Sequence, residues 1–364
     1  MTVPLPVPGS LPEFQRMFPD EDACRKYLFA VRWPSGFRCP KCASETAWWR
    51  KDGRSVECER KHVTSATAGT VMHKTHLPLL TWFYGAFLTS TLTPGISALQ
   101  FARQLGLSRY ETAYVMLHKL RSGLVDPDRT PLRGRVQVDE ALLGGETPGR
   151  PGRSHGAKAI VAVAVEIVGY QDTTGRKPGG GHVDRQLREG PPEQHARGDK
   201  PARRRERAGR VRLEVIPDAS AATLEDFVSR HVAPGATVST DGWSGYGGLE
   251  GLGYAHKVVK QSRKGKSTGQ YLPMVHLVIS NLKRTLLGTH KGAILPHHLP
   301  AYLNEFAYRF NRRFWKAPSF LRALGLSAAP RRPRLEYKRL YAVRKGGDWQ
   351  HPNPRPSGVP KQTV

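Results

Sequence analysis

The chain has 364 residues, a length that suits two or three structural units and at least one large core. It carries 57 lysines and arginines but only 30 aspartates and glutamates, so its formal net charge is +27. This imbalance argues against a freely soluble metabolic enzyme and favours a polyanionic partner, of which nucleic acid is the simplest and a membrane surface the weaker candidate.

Neither a membrane span nor a disulfide framework is favoured by the sequence. The opening residues MTVPLPVPGS carry no charge, and the apolar stretch at 77–92 is short and rich in threonine. We therefore expect a cytoplasmic, nucleoid-associated protein without a membrane partner. Three of the 4 cysteines cluster, as in a metal site of a reducing compartment, whereas Cys24 falls on the apolar face of a helix predicted at 20–31.

The first motif with metal chemistry is CPKC at 39–42. A Cys-x-x-Cys turn directs two thiolates at one tetrahedral zinc ion, and a second cysteine pair further along the chain normally completes the site. Here the second turn is CERKH at 58–62, which has no fourth cysteine; His62 is the nearest replacement, with His73 and His76 behind it. We predict a zinc-ribbon domain at 14–76 with these Zn²⁺ ligands: Cys39, Cys42, Cys58 and His62.

Residues 77–130 have a helical pattern. Within them an amphipathic helix at 96–105 ends at Gly106, and a second helix follows a tight turn. This arrangement is typical of a helix-turn-helix that binds DNA, although a plain helical hairpin has the same pattern. The candidate DNA contacts are the basic residues of the second helix: Arg109, Lys119 and Arg121.

Beyond the helical segment the sequence changes to strands. RVQVDEALLGG alternates, AKAIVAVAVEIVG is a continuous apolar run, and VRLEVIP is a third strand; a helix, two short strands and helices at 273–287 and 297–313 follow. This order predicts an α/β domain with a mixed sheet at 131–315. Residues 169–210 are rich in Gly, Pro and charge and predict a disordered insertion, and residues 316–364 predict a basic tail.

Two aspartates stand at or near strand ends of this domain, Asp139 in VQVD and Asp241 directly after TVST. Side chains at adjacent strand ends of an open sheet converge on one crevice, where two carboxylates can hold divalent metal ions that activate a nucleophile. Either aspartate alone would more often be a turn or capping residue. Glu140 is a nearby alternative, but on a strand it faces the side opposite Asp139.

The stretch VHLVISNLKR at 275–284 has an apolar helical pattern and contains no acid. Its polar residues His276 and Lys283 are seven positions apart, which is about two helical turns, so they lie on one face. Whether this face is packed or reactive depends on the rest of the chain.

Six motifs resemble those of a known family when they are taken in order: RWPSGFRCPKC, TSATAGTVMHKT, VDEALLGG, TDGWSGY, VHLVISNLKRTLLGTHKG and YLNEFAYRFNRR. The resemblance is to bacterial insertion-sequence transposases of the zinc-ribbon branch of the DDE superfamily, and it covers roughly residues 14–315 without the insertion. It implies a ribonuclease-H-like catalytic fold and Mg²⁺-dependent cleavage and strand transfer of DNA. It also implies a homo-oligomer on DNA, with the terminal repeats of the element and the target DNA as partners.

The resemblance places the first two acids of the family on Asp139 and Asp241. The third metal ligand of the family is usually a glutamate, followed seven residues later by a basic residue, and this pattern falls on His276 and Lys283. A neutral imidazole can ligate a metal ion, but it is a softer donor than Mg²⁺ prefers. The histidine therefore predicts weaker Mg²⁺ binding and better activity with Mn²⁺.

Two other residues remain candidates for the third ligand. Asn281 lies on the same predicted helix but off the face of His276. Glu305 lies on the next helix, where it could instead pair with Arg309 one turn later.

The remaining predicted DNA contacts are Lys283, which would hold a terminal phosphate, and the pair Arg312 and Arg313. A rival hypothesis is a DNA-binding protein without catalysis, either a zinc-ribbon regulator or a decayed transposase. The missing fourth cysteine, the absent third acid and the long insertion favour this rival.

Overall fold

The computed structural model describes most of the chain, which divides into two compact units. The first, called the helical unit, comprises residues 1–129, 144–148 and 285–364, and the second, called the sheet unit, comprises residues 130–143 and 149–284. The described ranges are 5–124, 129–144, 158–172, 203–259, 272–290, 294, 296–314 and 316–328.

The helices and strands follow the order expected from the sequence patterns. The helices are α1 (Leu11–Met17), α2 (Glu21–Arg32), α3 (Leu79–Thr91), α4 (Ala98–Gln104), α5 (Tyr110–Gly123), α6 (Ala221–His231), α7 (Pro273–His290), α8 (Leu299–Asn311) and α9 (Lys316–Ala328). The strands are β1 (Ala47–Trp49), β2 (Val56–Cys58), β3 (Val63–Thr64), β4 (Arg135–Leu143), β5 (Ala159–Asp172), β6 (Arg203–Ile216), β7 (Thr237–Thr240) and β8 (Ala255–Val258).

Strands β1, β2 and β3 form a small antiparallel sheet in the helical unit. Strands of two or three residues bury too little surface to be stable alone. The buried cluster beside them is correspondingly small and consists of Phe37, Cys39, Val56 and Cys58. A core of this size needs a further cross-link, which a bound metal ion can supply.

An aromatic core holds the helices of the helical unit together. Phe14, Phe83 and Phe320 are fully buried, and the ring of Phe320 lies 5.8 Å from that of Phe14 and 6.1 Å from that of Phe83. Helix α2 begins after Asp20, whose side chain accepts the N–H of Ala23 at 2.8 Å and so caps the helix.

The segment predicted as a basic tail, residues 316–364, begins with a helix instead. Helix α9 packs on α2 and α3, with Phe320 and Leu324 buried in the aromatic core. The composition of the whole segment concealed this short run, because the many basic residues that follow dominate the average. Residues 329–364 lie outside the described residues.

The sheet unit contains a five-stranded mixed sheet in the order β6-β5-β4-β7-β8. Strands β6, β5 and β4 pair antiparallel, whereas β4, β7 and β8 pair parallel. Val136 and Val138 of β4 pack with Leu224 and Phe227 of α6 in one buried cluster. The mixed α/β sheet with flanking helices that the sequence predicts is therefore confirmed.

Helix α7 meets β4 through Gln137. The Gln137 Oε1 atom accepts the backbone N–H groups of Met274 and Val275 at 2.9 and 3.0 Å. Because successive side chains of a strand point to opposite faces, Gln137 and Val138 face opposite sides of the sheet. Helices α6 and α7 thus contact β4 from opposite faces.

Both ends of the predicted disordered insertion at 169–210 belong to strands. Residues 169–172 continue β5, and residues 203–210 belong to β6, with which β5 pairs up to Asp172 opposite Arg203. The alternating segments at the two ends were hidden by the Gly-rich and Pro-rich centre. Residues 173–202 lie outside the described residues.

Helix α8 lies within the predicted domain 131–315 but belongs to the helical unit.

Among the residues that the structure describes, no helix has both the length and the apolar character that crossing a bilayer requires.

Candidate active site and zinc cluster

The four predicted zinc ligands come together in the structure. One donor atom from each of Cys39, Cys42, Cys58 and His62 lies within 4.8 Å of all the others. The Sγ atoms of Cys42 and Cys58 are 3.7 Å apart, and Cys39 Sγ is 3.8 Å from His62 Nδ1. Two sulfurs on one tetrahedral zinc ion lie about 3.8 Å apart, because each Zn–S bond is about 2.3 Å. The donor set and its spacing therefore fit Zn²⁺.

Two tight backbone turns produce this convergence. In the first turn, the N–H of Ala43 donates to the carbonyl of Cys39 at 2.9 Å, and Ala43 has a left-handed backbone with φ of 60°. In the second, the N–H of Lys61 donates to the carbonyl of Cys58 at 2.7 Å, and Lys61 has φ of 58°. Each turn bends the chain so that its ligands point to the same side.

The thiol of Cys39 is prepared to ionise. Burial raises its pKa, but hydrogen bonds from the backbone N–H groups of Lys41 and Cys42 outweigh this effect and lower the pKa to about 6. Metal ions bind the thiolate form, so this environment favours a ligand. Cys24 behaves in the opposite way, since burial in the aromatic core raises its pKa to about 12.

His73, an alternative fourth ligand, has another partner. Its Nδ1 atom accepts the N–H of Gly69 at 3.0 Å. Among the described residues, the cysteine and histidine cluster is the only group of three or more Cys, His, Asp or Glu donors packed within 4.8 Å.

The structure brings Asp139 and His276 together in the sheet unit. Asp139 lies on β4 with its side chain 13% exposed, and its Oδ2 atom is 3.6 Å from Nδ1 of His276 on α7. The other carboxylate oxygen, Oδ1, accepts the N–H of Glu140 at 2.9 Å. These contacts hold the Asp139 carboxylate toward the helix that carries His276.

Asp241 follows β7 directly, and β7 runs parallel to β4 with Ser239 opposite Gln137. Two residues further along each strand, this register brings Asp241 level with Asp139. Asp241 Oδ1 accepts the N–H of Trp243 at 3.0 Å across a turn in which Gly242 has φ of 88°. A positive φ of this size is open to glycine at little cost, which explains the Asp-Gly sequence.

The electrostatics of this site differ from those of the zinc cluster. Burial raises the pKa of Asp139, and the neighbouring Asp241 raises it further, although His276 and Lys283 oppose the shift. Burial, together with Asp139, also raises the pKa of Glu140 to about 7. Closely spaced carboxylates repel each other when they are ionised. A divalent cation bound between them would offset this repulsion.

Glu140 is a feature of the site that sequence reasoning undervalued. Its side chain is largely buried, and its carboxylate lies beside the buried hydroxyl of Tyr246, with which it interacts. Tyr246 belongs to the cluster that includes Val136 and Val138, which agrees with Glu140 facing away from Asp139. The alternation of the strand predicted its face but not its electrostatic coupling to both aspartates.

The other two candidates for the third ligand have different surroundings. Glu305 is buried in the helical unit, where Arg121 Nε donates to its Oε2 at 2.6 Å and Arg309 Nη1 lies 3.5 Å from its Oε1. Asn281 is half-buried on α7, and Lys283 on the same helix is exposed. Glu305 already has two positive partners, as a carboxylate in a structural ion pair does.

The structure argues against one predicted DNA contact. Arg121 is 1% exposed and donates hydrogen bonds to Glu305 and to the carbonyl of Ile96, so its guanidinium is already bound inside the helical unit. The helical pattern identified α5 correctly but did not show which of its faces is buried. Arg109 remains exposed immediately before α5, and Lys119 is half-buried on it.

The two arginines after α8 lie over aromatic rings. The guanidinium of Arg312 is 4.2 Å from the ring centre of Tyr308, and that of Arg313 is 4.0 Å from that of Phe310. Both arginines are half-buried. Such stacking leaves the edges of a guanidinium able to donate hydrogen bonds.

Two family models match the chain. Residues 131–311 match the ISXO2-like transposase domain, and residues 19–60 match the transposase zinc-ribbon domain. The first match contains Asp139, Asp241 and His276. The second contains the three cysteines of the zinc cluster but ends before His62. No curated protein matches the chain.

Proposed function

The chain belongs to the ISXO2-like transposases that carry a zinc ribbon, and we propose that it binds the terminal inverted repeats of an insertion sequence and catalyses cleavage and strand transfer of DNA. The observation that carries the catalytic part is the parallel register of β4 and β7, which brings Asp241, directly after β7, level with Asp139 on β4, with His276 of α7 beside Asp139. The three residues thus come from β4, from the turn after β7 and from α7 of a ribonuclease-H-like domain.

In this proposal Asp139, Asp241 and His276 would hold divalent cations, Mg²⁺ or Mn²⁺, which when bound would supply Lewis-acid stabilisation to the phosphodiester. Burial and the neighbouring Asp241 raise the pKa of Asp139 in the free protein, and a bound cation would offset the repulsion between the two carboxylates. His276 contributes a neutral imidazole nitrogen and adds no further negative charge.

Lys283 supplies a positive charge on the same face of α7. Its side chain is exposed, and it is close enough to Asp139 to lower the pKa of that carboxyl. We assign it the phosphate next to the scissile bond, which it would hold as a point charge. Attack of water on the scissile phosphorus would form a new P–O bond, break the P–O3′ bond and leave a 5′ phosphate and a 3′ hydroxyl. That 3′ hydroxyl would then form a bond to a target phosphorus and displace the target's own 3′ oxygen, which leaves as a hydroxyl.

DNA recognition is assigned to the zinc ribbon and to α4 and α5. Helices α4 and α5 pack together across Gly106, which has a left-handed φ of 62°. Much of α5 is buried, but Arg109 and Tyr110 at its start are exposed. The beginning of a recognition helix is the part that contacts base edges in a helix-turn-helix. Lys119, Arg312 and Arg313 are proposed to contact the backbone.

The test incubates the purified chain with a terminal-repeat duplex and either Mg²⁺ or Mn²⁺. We expect the wild type to nick and join strands, and Asp241→Ala to reduce the rate at least about a thousandfold, or about 4 kcal/mol. His276→Ala should also lose activity, whereas Asp226→Ala, which changes an exposed aspartate of α6, should not. All variants should bind the duplex as the wild type does.

A second function is favoured by one observation, the histidine in place of the third acid. If the wild type binds the terminal repeat but neither nicks nor joins strands with either cation, catalysis is excluded. The protein is then a DNA-binding regulator, or a transposase that has lost its chemistry.

A further inference from the structure

The residue directly before helix α7 has no capping side chain. The first residue of the helix is Pro273, and the residue before it is Leu272, whose buried side chain has no hydrogen-bond acceptor. The first intrahelical bond runs from the N–H of His276 to the carbonyl of Leu272 at 3.2 Å. The N–H groups of Met274 and Val275 consequently have no acceptor within the helix.

A side chain from the neighbouring strand supplies the missing acceptor. Gln137 Oε1 accepts both N–H groups, from Met274 at 2.9 Å and from Val275 at 3.0 Å. In most helices a Ser, Thr, Asp or Asn directly before the first turn makes this contact. Gln137 makes it from β4, so these two hydrogen bonds hold the start of α7 against that strand.

These two hydrogen bonds connect β4 and α7, the elements that carry two of the proposed cation ligands, Asp139 and His276. Gln137 is two residues before Asp139 on β4, so both side chains lie on one face of the sheet. Val275, which donates to Gln137, is directly followed by His276. Every residue in these two hydrogen bonds is therefore within two positions of Asp139 or His276, whose side chains approach to 3.6 Å.

We propose that Gln137 is a positioning residue that fixes His276 against Asp139 and thereby sets the geometry of the cation site. This inference rests on the proposed function, because it assumes that these two residues hold a cation. Gln137 itself contacts neither DNA nor the cation and acts only through the backbone of α7.

The chemistry of glutamine suits this position. An amide oxygen accepts two N–H groups without adding charge, and the carboxylates of Asp139 and Asp241 already repel each other here. Gln137 is buried, with 7% of its surface exposed, so water cannot replace its contacts easily. Leucine at this position would leave two N–H groups without an acceptor, whereas glutamate would keep the acceptor and add charge.

The experiment uses the full chain with its zinc ribbon loaded and compares Gln137→Leu with Gln137→Glu. The first measurement is amide hydrogen exchange at Met274 and Val275 without added divalent cation. We expect slow exchange in the wild type and in Gln137→Glu, and at least about tenfold faster exchange in Gln137→Leu. Amides in the middle of α7, such as those of Val278 and Ile279, should exchange alike in all three proteins.

The second measurement is the affinity for Mn²⁺ alone, followed by the paramagnetic resonance of the free ion, with Asp241→Ala as the blank. Residues that orient metal ligands typically change metal affinity 10- to 100-fold when they are replaced, so Gln137→Leu should bind Mn²⁺ about 10- to 100-fold more weakly. Gln137→Glu should stay within a few-fold of the wild type. A matched control is Gln15→Leu, which replaces an exposed glutamine of α1 and should change neither measurement.

Unchanged exchange at Met274 and Val275 in Gln137→Leu would overturn the inference, as would fast exchange in Gln137→Glu. Faster exchange with an unchanged Mn²⁺ affinity also overturns it, since Gln137 would then stabilise α7 without positioning the site. If Gln137→Leu does not fold, Gln137→Glu and the wild type still decide whether these amides are protected and whether an acceptor at this position suffices. Failure of the proposed function has a different signature: the wild type then binds no more Mn²⁺ than Asp241→Ala does.

Discussion

The zinc cluster of the helical unit and the carboxylate site of the sheet unit bring their ligands together in different ways. The zinc ligands lie within residues 39–62, and two local turns place their four donor atoms within 4.8 Å. Asp139 lies on β4, Asp241 directly follows β7 and His276 lies on α7, so strand register and the start of α7 decide their positions. A site built from local turns depends on few residues, whereas one built from tertiary contacts depends on many.

The two sites also differ in how their ligands ionise. The surroundings of Cys39 lower its pKa to about 6, so the ligand is ready for a permanently bound ion. Burial and Asp241 raise the pKa of Asp139, so this proposed ligand releases its proton less readily than an ordinary aspartate. We therefore propose that the zinc site is structural and that the carboxylate site binds its cation more weakly. Four predictions, from the largest expected effect to the smallest, test the two sites and the units that carry them.

The largest expected effect is the loss of zinc. Structural zinc ions contribute about 10–16 kcal/mol of binding energy in small zinc-finger peptides, and the buried cluster around Phe37 is too small to fold without one. Chelation, or Cys58→Ser, should therefore unfold the ribbon. The readouts are zinc content per chain and the fluorescence of Trp48 and Trp49, which lie on β1.

Cys24→Ala is the matched control, because Cys24 is buried in the aromatic core and takes no part in the cluster. It should retain one zinc ion per chain. A Cys58→Ser protein that keeps its zinc and its tryptophan signal would show that the cluster is not the zinc site.

The next largest effect concerns Glu305, the buried carboxylate of the helical unit. Glu305→Gln leaves Arg121 buried without its ionic partner, and breaking such a pair typically costs about 3–5 kcal/mol. Urea unfolding should show this loss, and the Mn²⁺ affinity of the folded variant should equal that of the wild type. Glu111→Gln, at an exposed position in the first turn of α5, should change neither quantity.

The opposite result would break the comparison between the two sites. If Glu305→Gln remains as stable as the wild type but loses Mn²⁺ affinity, Glu305 is the third cation ligand. His276 would then be an ordinary helix residue.

The parts of both sites that the sequence predicted are those controlled by local spacing. The Cys-x-x-Cys turn and the second turn predicted the zinc ligands. The position of Asp241 directly after a strand predicted its place at the carboxyl end of that strand. The mixed sheet was likewise predictable, because apolar runs of strand length alternate with capped helices.

Contacts between distant segments could not be predicted in this way. Arg121 was expected on the surface, because nothing in α5 indicates that Glu305, 184 positions later, pairs with it. The role of Gln137 depends on α7 lacking a cap, and the link between them spans 138 positions at Val275. Tertiary pairing, rather than any local pattern, decides what such polar residues do.

A smaller effect should appear in the acid stability of the sheet unit, away from the cation site. Burial raises the pKa of Glu214, but hydrogen bonds from His231 and Arg230 outweigh it and lower the pKa from 4.5 to about 2. A lowered folded-state pKa stabilises the protein above pH 4.5, and this contribution disappears as the pH falls toward 2. Because the side chain is 24% exposed, we expect about 2 kcal/mol after allowance for solvent screening.

Urea unfolding of the wild type and Glu214→Gln between pH 6 and pH 3 checks this. The variant should be less stable at pH 6, and the difference should shrink as the pH falls. A difference that does not depend on pH would mean that packing, not ionisation, explains the contribution of Glu214.

The smallest predicted effect is the most informative about the cation site. A carboxylate is a better Mg²⁺ ligand than an imidazole, so His276→Glu should shift the ratio of Mg²⁺-supported to Mn²⁺-supported activity toward Mg²⁺ by about tenfold. Asn281→Glu adds the same side chain to the same helix, five positions later and off the face of His276, so it should not change the ratio. Should Asn281→Glu raise Mg²⁺ use while His276→Glu abolishes activity, the third ligand is Asn281, and the 3.6 Å approach of His276 to Asp139 only packs the helix on the strand.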